Sequence, residues 1–134
     1  MERWSPGPAY DCIEQSRRDP SARSIATLIA PPDDQVSSIF IDLQQTIDFL
    51  GRDITITSIN GASNTIIDGS STSGSVVSFI SGETESVVLD GFTIQGGTAL
   101  NGAGMIIIAS SPTIRNCLIT GNESIGNGGA IFVD

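Results

Sequence analysis

Residues 87–94 read VVLDGFTI, and a similar phrase, PTIRNCLI, returns at residues 112–119. A second phrase repeats at the same offset, because GMIII at residues 104–108 is followed by GAIFV at residues 129–133. Each phrase is long enough for one or two short strands, which cannot bury an apolar face alone. The fixed period therefore predicts stacked units that share one core.

Beyond Gly51 the chain alternates short β-branched runs with turns rich in Gly, Asn and Ser, and helical spacing is found nowhere. A further match relates residues 65–69 (TIIDG) to residues 87–91 (VVLDG) at a slightly shorter offset, so the length of a coil varies. Short strands with these spacings predict an all-β fold, a parallel β-solenoid of about three strands per coil and about three to four coils.

The phrases also predict which side chains point inward and where the chain bends. Alternate residues of a strand face opposite sides, so every second residue should enter the core. The bend after each phrase needs residues that tolerate left-handed backbone, and these are Gly69, Gly91 and Asn116. The predicted inward residues are Thr65, Ile67, Val87, Leu89 and Ile114, with Ile94 and Ile119 in the strands that follow.

The first part of the chain is less regular. Residues 1–23 lack either period, and we predict there an irregular leader or a degraded cap, with a short capping helix over residues 11–18 that Pro20 ends. Residues 24–30 (SIATLIA) are predicted to form a buried strand, and alternation over residues 36–49 predicts one or two more.

The predicted domain organisation is a leader over residues 1–23 and a solenoid over residues 24–134. The last residues, AIFVD, stop inside a repeated strand phrase, and solenoid ends are normally capped. The solenoid is therefore expected to be truncated at its C-terminal end, as the N-terminal fragment of a longer protein.

Charge limits the classes of partner. The chain contains fifteen Asp and Glu residues, six Arg residues, no Lys and no His, so its net charge is −9. A surface of that sign repels phosphate backbones and anionic lipids, which excludes nucleic acid as an expected partner. Without His, proton chemistry is left to carboxylates or to a Tyr with a shifted pKa.

Other sequence signals bear on the compartment. Cys12 and Cys117 lie in unlike contexts and are interpreted as free thiols. No run approaches the roughly 20 apolar residues of a membrane span, and the N-terminus has no apolar signal region. Either the protein is cytosolic or an export signal is missing from this stretch. The repeats indicate neither an oligomeric state nor a specific ligand.

At this point the repeats resemble a known family. Residues 75–79, 87–94 and 111–122 are similar to right-handed parallel β-helix repeat proteins of the pectin-lyase-like superfamily, and the likeness covers about residue 45 to the end. The resemblance implies a right-handed solenoid and a secreted or cell-surface location. The superfamily contains pectate lyases, polygalacturonases, phage tailspikes and adhesin-like passengers, so function must be argued from the site.

One predicted column of side chains carries the candidate chemistry. If both spacings set the register, Asp68, Asp90 and Arg115 occupy one outward position on three successive coils. Carboxylates one coil apart would lie at about 5 Å, near the separation in retaining glycosidases. The alternative, which we favour, is that Asp-Gly forms turns and that Arg115 neutralises Asp90.

Metal-assisted chemistry has weaker candidates. The loop acids Glu83 and Glu85, with Asp68 and Asp90 along the axis, could hold Ca²⁺, whereas the alternative is a solvated loop. A Ca²⁺-dependent lyase would also need a Lys or Arg base, and Arg115 is the single Arg beyond position 52.

Together these features predict a structural or adhesive module of a secreted or cell-surface protein that binds a polysaccharide or a protein surface without turnover. The alternative is the N-terminal part of a polysaccharide lyase or glycoside hydrolase whose catalytic coils lie beyond residue 134. We lean against enzymatic activity in this chain alone, and we expect no obligate cofactor.

Overall fold

The computed structural model of the chain describes residues 2–3, 24–28 and 39–134. Every regular element within these ranges is a β-strand. The predicted helix over residues 11–18 and most of the predicted leader lie outside the described residues. The strand predicted at residues 24–30 is confirmed over Ser24–Leu28, and residues 36–49 contain two strands in their described part.

The strands follow one another at short intervals along the chain. In chain order they are β1 (Glu2–Arg3), β2 (Ser24–Leu28), β3 (Ile39–Asp42), β4 (Ile47–Asp48), β5 (Ile54–Ser58), β6 (Thr65–Asp68), β7 (Val77–Phe79), β8 (Val88–Asp90), β9 (Thr93–Gln95), β10 (Thr98–Ala99), β11 (Met105–Ile107), β12 (Thr113–Arg115), β13 (Leu118–Ile119), β14 (Glu123–Ser124) and β15 (Ile131–Val133).

These strands stack into three parallel sheets, which form three faces of a solenoid. Face 1 consists of β2, β5, β8 and β12, face 2 of β1, β3, β6, β9 and β13, and face 3 of β4, β7, β11 and β15. A loop sheet of β10 and β14 lies between faces 2 and 3 in chain order. The chain visits the three faces in turn and completes about four turns, which confirms the predicted parallel β-solenoid.

Like side chains stack along the core, because adjacent coils pair in register. Ile41, Ile67 and Ile94 follow one another on face 2, while Ile56 pairs with Leu89 on face 1. All five are at most 1% exposed. Each buried aliphatic side chain contributes about 1.5–3 kcal/mol to the free energy of unfolding, so the ladders hold the coils together.

The predicted inward residues are confirmed. Thr65, Ile67, Val87, Leu89 and Ile94 are buried, and Ile114 and Ile119 pack against the core while partly exposed. Two aromatic rings pack in the same core beside face 3, where Phe49 and Phe79 stack with ring centroids 4.8 Å apart. The alternation of the phrases therefore predicted the orientation of the side chains correctly.

The predicted bend residues divide into two kinds. Gly91 (φ 85°) and Asn116 (φ 53°) adopt the left-handed backbone conformation at the corner that follows face 1. Gly69 does not, and it follows face 2 instead. A Cβ added at Gly69 would lie 2.6 Å from Cγ2 of Val76, so this position requires a small residue for space.

The match between residues 65–69 and 87–91 was a wrong guide to the register. Residues 65–69 belong to face 2 and residues 87–91 to face 1, so they do not pair. Instead Ile67 pairs with Ile94, and Leu89 pairs with Ile56 on one side and Ile114 on the other. Both phrases consist of a strand followed by a glycine corner, and this local pattern occurs on two different faces.

The second repeated phrase is displaced by one residue from its predicted partner. Met105 pairs with Ile131 and Ile107 with Val133, so the step between coils at face 3 is one residue longer than the phrases predicted. Upstream, in the loop sheet, Thr98 still pairs with Glu123 at the predicted step. The extra residue therefore lies between β14 and β15.

Candidate functional site

Of the three residues predicted to share one column, the structure places two together. Asp90 and Arg115 are partners on adjacent strands of face 1, and Thr57 occupies the next position on the other side of Asp90. Asp68 is on face 2, so its predicted place in this column was wrong. The error follows directly from the match between residues 65–69 and 87–91, which placed strands of two faces in one register.

Asp90 is held by two hydrogen bonds from the following coil. Nε of Arg115 donates to Oδ2 of Asp90 at 2.9 Å, and Nδ2 of Asn116 donates to Oδ1 at 2.8 Å. The hydrogen bond from Asn116, followed by the hydrogen bond and charge of Arg115, lowers the pKa of Asp90 below its usual value of 3.8, although desolvation acts in the opposite direction. Asp90 is therefore ionised at neutral pH.

This geometry has a clear chemical consequence. A general acid must carry a proton near neutral pH, and a retaining pair needs a second carboxylate at roughly 5 Å. Asp90 has a lowered pKa, and its neighbours in the column are a hydroxyl and a guanidinium. The arrangement matches the interpretation in which Arg115 neutralises Asp90.

Asp68 has a different role at the end of β6. Its side chain is buried, with 6% exposed, and its two oxygens accept hydrogen bonds from the amide of Ser70 and from Nε2 of Gln95, each at 2.9 Å. Asp42 precedes it in register on β3. Two carboxylates one coil apart therefore occur on face 2, where the sequence had not indicated them, and Gln95 follows Asp68 on the next strand.

The two loop acids proposed for Ca²⁺ differ sharply in exposure. Glu83 is 2% exposed, and its Oε1 accepts a hydrogen bond from the amide of Gly51 at 2.7 Å. Its Oε2 accepts from the amide of Ser81 and from Oγ of Ser110, each at 2.9 Å. Glu85 is exposed, and its backbone carbonyl accepts a hydrogen bond from Thr113.

Glu83 therefore does not fit a cation site, because both of its carboxylate oxygens already accept hydrogen bonds. Among the residues that the structure describes, no group of three or more Asp, Glu, His or Cys side chains could hold a metal ion. Ca²⁺ binding stays a prediction that rests on Glu85. Glu83 instead ties together three coils, a role that the sequence did not reveal.

The outer side of face 1 is polar and regular. Two outward columns cross β5, β8 and β12: one contains Thr55, Val88 and Thr113, and the other contains Thr57, Asp90 and Arg115. Arg115 is the more accessible of the charged pair, with 59% of its side chain exposed against 15% for Asp90. The surface offers hydroxyl, carboxylate and guanidinium groups at the regular spacing of strands, roughly 4.8 Å.

An open depression lies where face 3 begins. It has a volume of about 550 Å³, and its lining consists mainly of amides and hydroxyls, with one carboxylate and one leucine. The lining residues are Gln44, Gln45, Thr46, Asp48, Leu50, Ser71 and Ser73. Gln44, Gln45 and Thr46 precede β4, and Ser71 and Ser73 belong to the loop before β7. The sequence alone does not show that this loop lies beside the Gln and Thr residues.

Cys117 is a free thiol at the edge of the core. Burial raises the pKa of this thiol. Its Sγ lies 3.2 Å from the carbonyl oxygen of Arg115, toward which it can donate. A thiol held in this state is a poor nucleophile at neutral pH, and Cys117 serves here as a small packing residue at the edge of the core. Cys12 lies outside the described residues.

Comparison with known proteins found no family model, no curated protein and no solved structure that matches the chain. In the part of the chain that the structure describes, no helix has the length and apolar character needed to cross a membrane. The function of the solenoid is therefore argued from its own surfaces.

Proposed function

We propose that this chain is a structural or adhesive module of a secreted or cell-surface protein, a right-handed β-helix of the pectin-lyase-like superfamily, that binds carbohydrate or a partner surface without turnover. The observation that supports carbohydrate binding is the outer side of face 1, where Thr57, Asp90 and Arg115 form a register-aligned polar column. Its groups can both donate and accept hydrogen bonds, as sugar hydroxyls do.

The rigidity of the fold favours binding on such a surface. The strands that carry these side chains are fixed by buried ladders beneath them, so little conformational entropy would be lost on binding. The Asp90–Arg115 ion pair also fixes the two side chains before a ligand arrives. A polysaccharide could lie along the column and meet one polar group per coil.

Binding without turnover agrees with the state of Asp90. Its oxygens accept hydrogen bonds from Arg115 and Asn116, and its pKa is lowered, so it lacks the proton of a general acid. The alternative function is the N-terminal part of a polysaccharide lyase or glycoside hydrolase with catalytic coils beyond residue 134. Asp42 and Asp68 are adjacent on face 2, but both oxygens of the buried Asp68 already accept hydrogen bonds, so this alternative depends on the coils beyond residue 134.

A binding assay on immobilised or gel-embedded polysaccharides tests the proposal. We expect retardation by at least one polysaccharide, and we expect Arg115→Ala to weaken binding about tenfold, the effect of losing one hydrogen bond to a charged group. Glu123→Gln, an exposed change on the loop sheet, is the matched control. Equal binding by both variants, or no retardation by any polysaccharide, would contradict carbohydrate binding on face 1.

The enzymatic alternative has a separate assay. Incubation of the chain with polygalacturonate and Ca²⁺ should yield no unsaturated product. Product formation that disappears in Asp90→Asn would overturn the proposal that this chain acts without turnover.

A further inference from the structure

The outer side of face 3 carries more large apolar side chains than the outer side of face 1, although Asp48 and Ser78 lie in the same column as Ile106. Leu50 and Ile80 come just after β4 and β7, and they are 38% and 49% exposed. Ile108 takes the equivalent position after β11, since its amide donates to the last carbonyl of β7 at 2.9 Å. Beside this column, Ile106 and Phe132 are register partners and are half-buried. These five residues form the face-3 patch.

Outward positions on a sheet are usually polar when water covers them. The face-3 patch instead places large aliphatic and aromatic side chains on neighbouring coils, and exposed apolar surface of this kind marks binding sites for other proteins. The inner side of the same strands already carries the core residues Val77, Phe79 and Met105. The side chains of the patch therefore point away from the core that holds the solenoid together.

Charges at the rim indicate the kind of partner. Asp48 lies in the column of Ile106, two strands before it, and Asp134 follows β15 beside Ile108. Glu85 lies in the loop beyond the strand ends. Arg52 follows Asp48 by four residues in the sequence, and the whole chain carries −9. A second copy of the chain or an anionic membrane would meet charge of the same sign.

We propose that the face-3 patch docks a protein segment that presents apolar side chains within a basic rim. The patch desolvates the apolar side chains of the partner, and the carboxylates around it attract the basic groups, which is the usual division between the core and the rim of an interface. This inference rests on the proposal that the chain is a binding module, and it uses a different face from the polar column.

Two synthetic peptides probe this surface. One is an amphipathic peptide of Leu and Lys, and the other has the same length and charge with Ser in place of Leu. At roughly physiological salt, fluorescence anisotropy should detect binding of the Leu/Lys peptide and at least about tenfold weaker binding of the Ser/Lys peptide, because charge alone is screened. The double variant Ile80→Thr/Ile108→Thr should weaken binding of the Leu/Lys peptide by a similar factor.

The control variant is Ile59→Thr, which changes an isoleucine that is 63% exposed after β5 on face 1 and should leave binding unchanged. The single variant Ile80→Thr preserves a β-branched side chain at an exposed position, so it tests the surface even if the double variant unfolds. Its expected loss is smaller but in the same direction.

Three results would overturn the inference: equal binding of both peptides, full binding by Ile80→Thr and the double variant, or self-association of the chain that these variants abolish. Polysaccharide retardation measured on the same variants separates the two proposals. If polysaccharides retard the protein but the face-3 variants bind the Leu/Lys peptide as well as the wild type does, only the docking surface is contradicted. If no polysaccharide retards the protein but the variants lose peptide binding as expected, only carbohydrate binding on face 1 is contradicted.

Discussion

Glu83 illustrates how one buried side chain can tie successive coils together. Its oxygens accept hydrogen bonds from Gly51 on one side of the loop and from Ser110 on the other, and its own loop contributes the amide of Ser81. A buried carboxylate is costly unless donors surround it. Here three donors do so, which makes the side chain a structural brace.

Replacing Glu83 by Gln should lower the free energy of unfolding by about 1–3 kcal/mol, because the NH₂ group of Gln cannot accept hydrogen bonds and would leave buried donors unsatisfied. Urea unfolding monitored by circular dichroism measures the change. Glu85→Gln is the matched control, since Glu85 is exposed, and it should change stability by less than about 0.5 kcal/mol. Similar effects for both variants would contradict the bracing role.

The Asp90 carboxyl should make stability depend on pH in a defined direction. Because its pKa is lower in the folded state, its contribution is present above the ordinary value of 3.8 and is lost as the pH falls through the folded pKa. Asp90→Asn should therefore be less stable than the wild type at pH 7, by at most about 1 kcal/mol, and the difference should shrink below about pH 4.

Unfolding curves for the wild type and Asp90→Asn between pH 7 and pH 2.5 provide the measurement. Glu123→Gln controls for the loss of one negative charge at an exposed position. A difference that grows on acidification would have the wrong sign for a carboxyl whose folded pKa is lowered.

At the level of single residues, the sequence predicted the Asp90–Arg115 pair and missed the roles of Asp68 and Glu83. The pair lies within the repeat that relates residues 87–94 to residues 112–119, so the correct register followed from the phrases themselves. Asp68 and Glu83 depend on loops whose path the strand phrases do not specify. Glu83 in particular finds its donors on other coils, at separations of 27 and 32 residues.

Corners between strands depend on backbone conformation as well as on side chains. Asn116 occupies the corner that Gly91 occupies one coil earlier, and both are left-handed. Asn tolerates this conformation better than most residues, and at this site it also donates to Asp90. The corner is thus fixed by backbone preference and by a side-chain hydrogen bond together.

Two substitutions at this corner separate these contributions. Asn116→Gly removes the hydrogen bond and keeps the backbone conformation accessible, whereas Asn116→Ala removes both. The alanine variant should be less stable than the glycine variant by about 1–2 kcal/mol, the cost of left-handed backbone for a residue with a Cβ. Thermal or urea unfolding of both variants measures it, and an alanine variant as stable as the glycine variant would contradict the assigned corner.

At the level of elements, alternation was a better guide than phrase similarity. It correctly predicted the inward sides of β6 and β8, since a one-residue shift would turn Ile67 and Leu89 away from the core. Phrase similarity failed between β6 and β8, since a strand followed by a glycine corner recurs on two faces. It also missed the extra residue before β15, where Gly126 lies so close to Leu100 and Asn101 that a Cβ would meet their oxygens at 2.8 Å and 2.6 Å.

At the scale of the whole molecule, the described strands of each coil pair with strands of the coils before and after it, as expected of a solenoid. The period and the alternation were sufficient to predict the parallel stack. The functional surfaces were harder to predict, because each one combines residues from several coils. The polar column on face 1 includes Thr57 because Thr57 pairs with Asp90. The spacing between these two residues is longer than that of the repeated phrases, so the phrases did not predict this pairing.

The most direct test of the stacked register is a set of backbone nuclear Overhauser contacts between coils. The account predicts the parallel-sheet pattern joining Leu89 to Ile114 and Ile67 to Ile94, together with the shifted pair Met105 and Ile131. Close Hα–Hα contacts of the antiparallel type between neighbouring strands of the three faces, or contacts between residues 65–69 and 87–91 as direct neighbours, would contradict it.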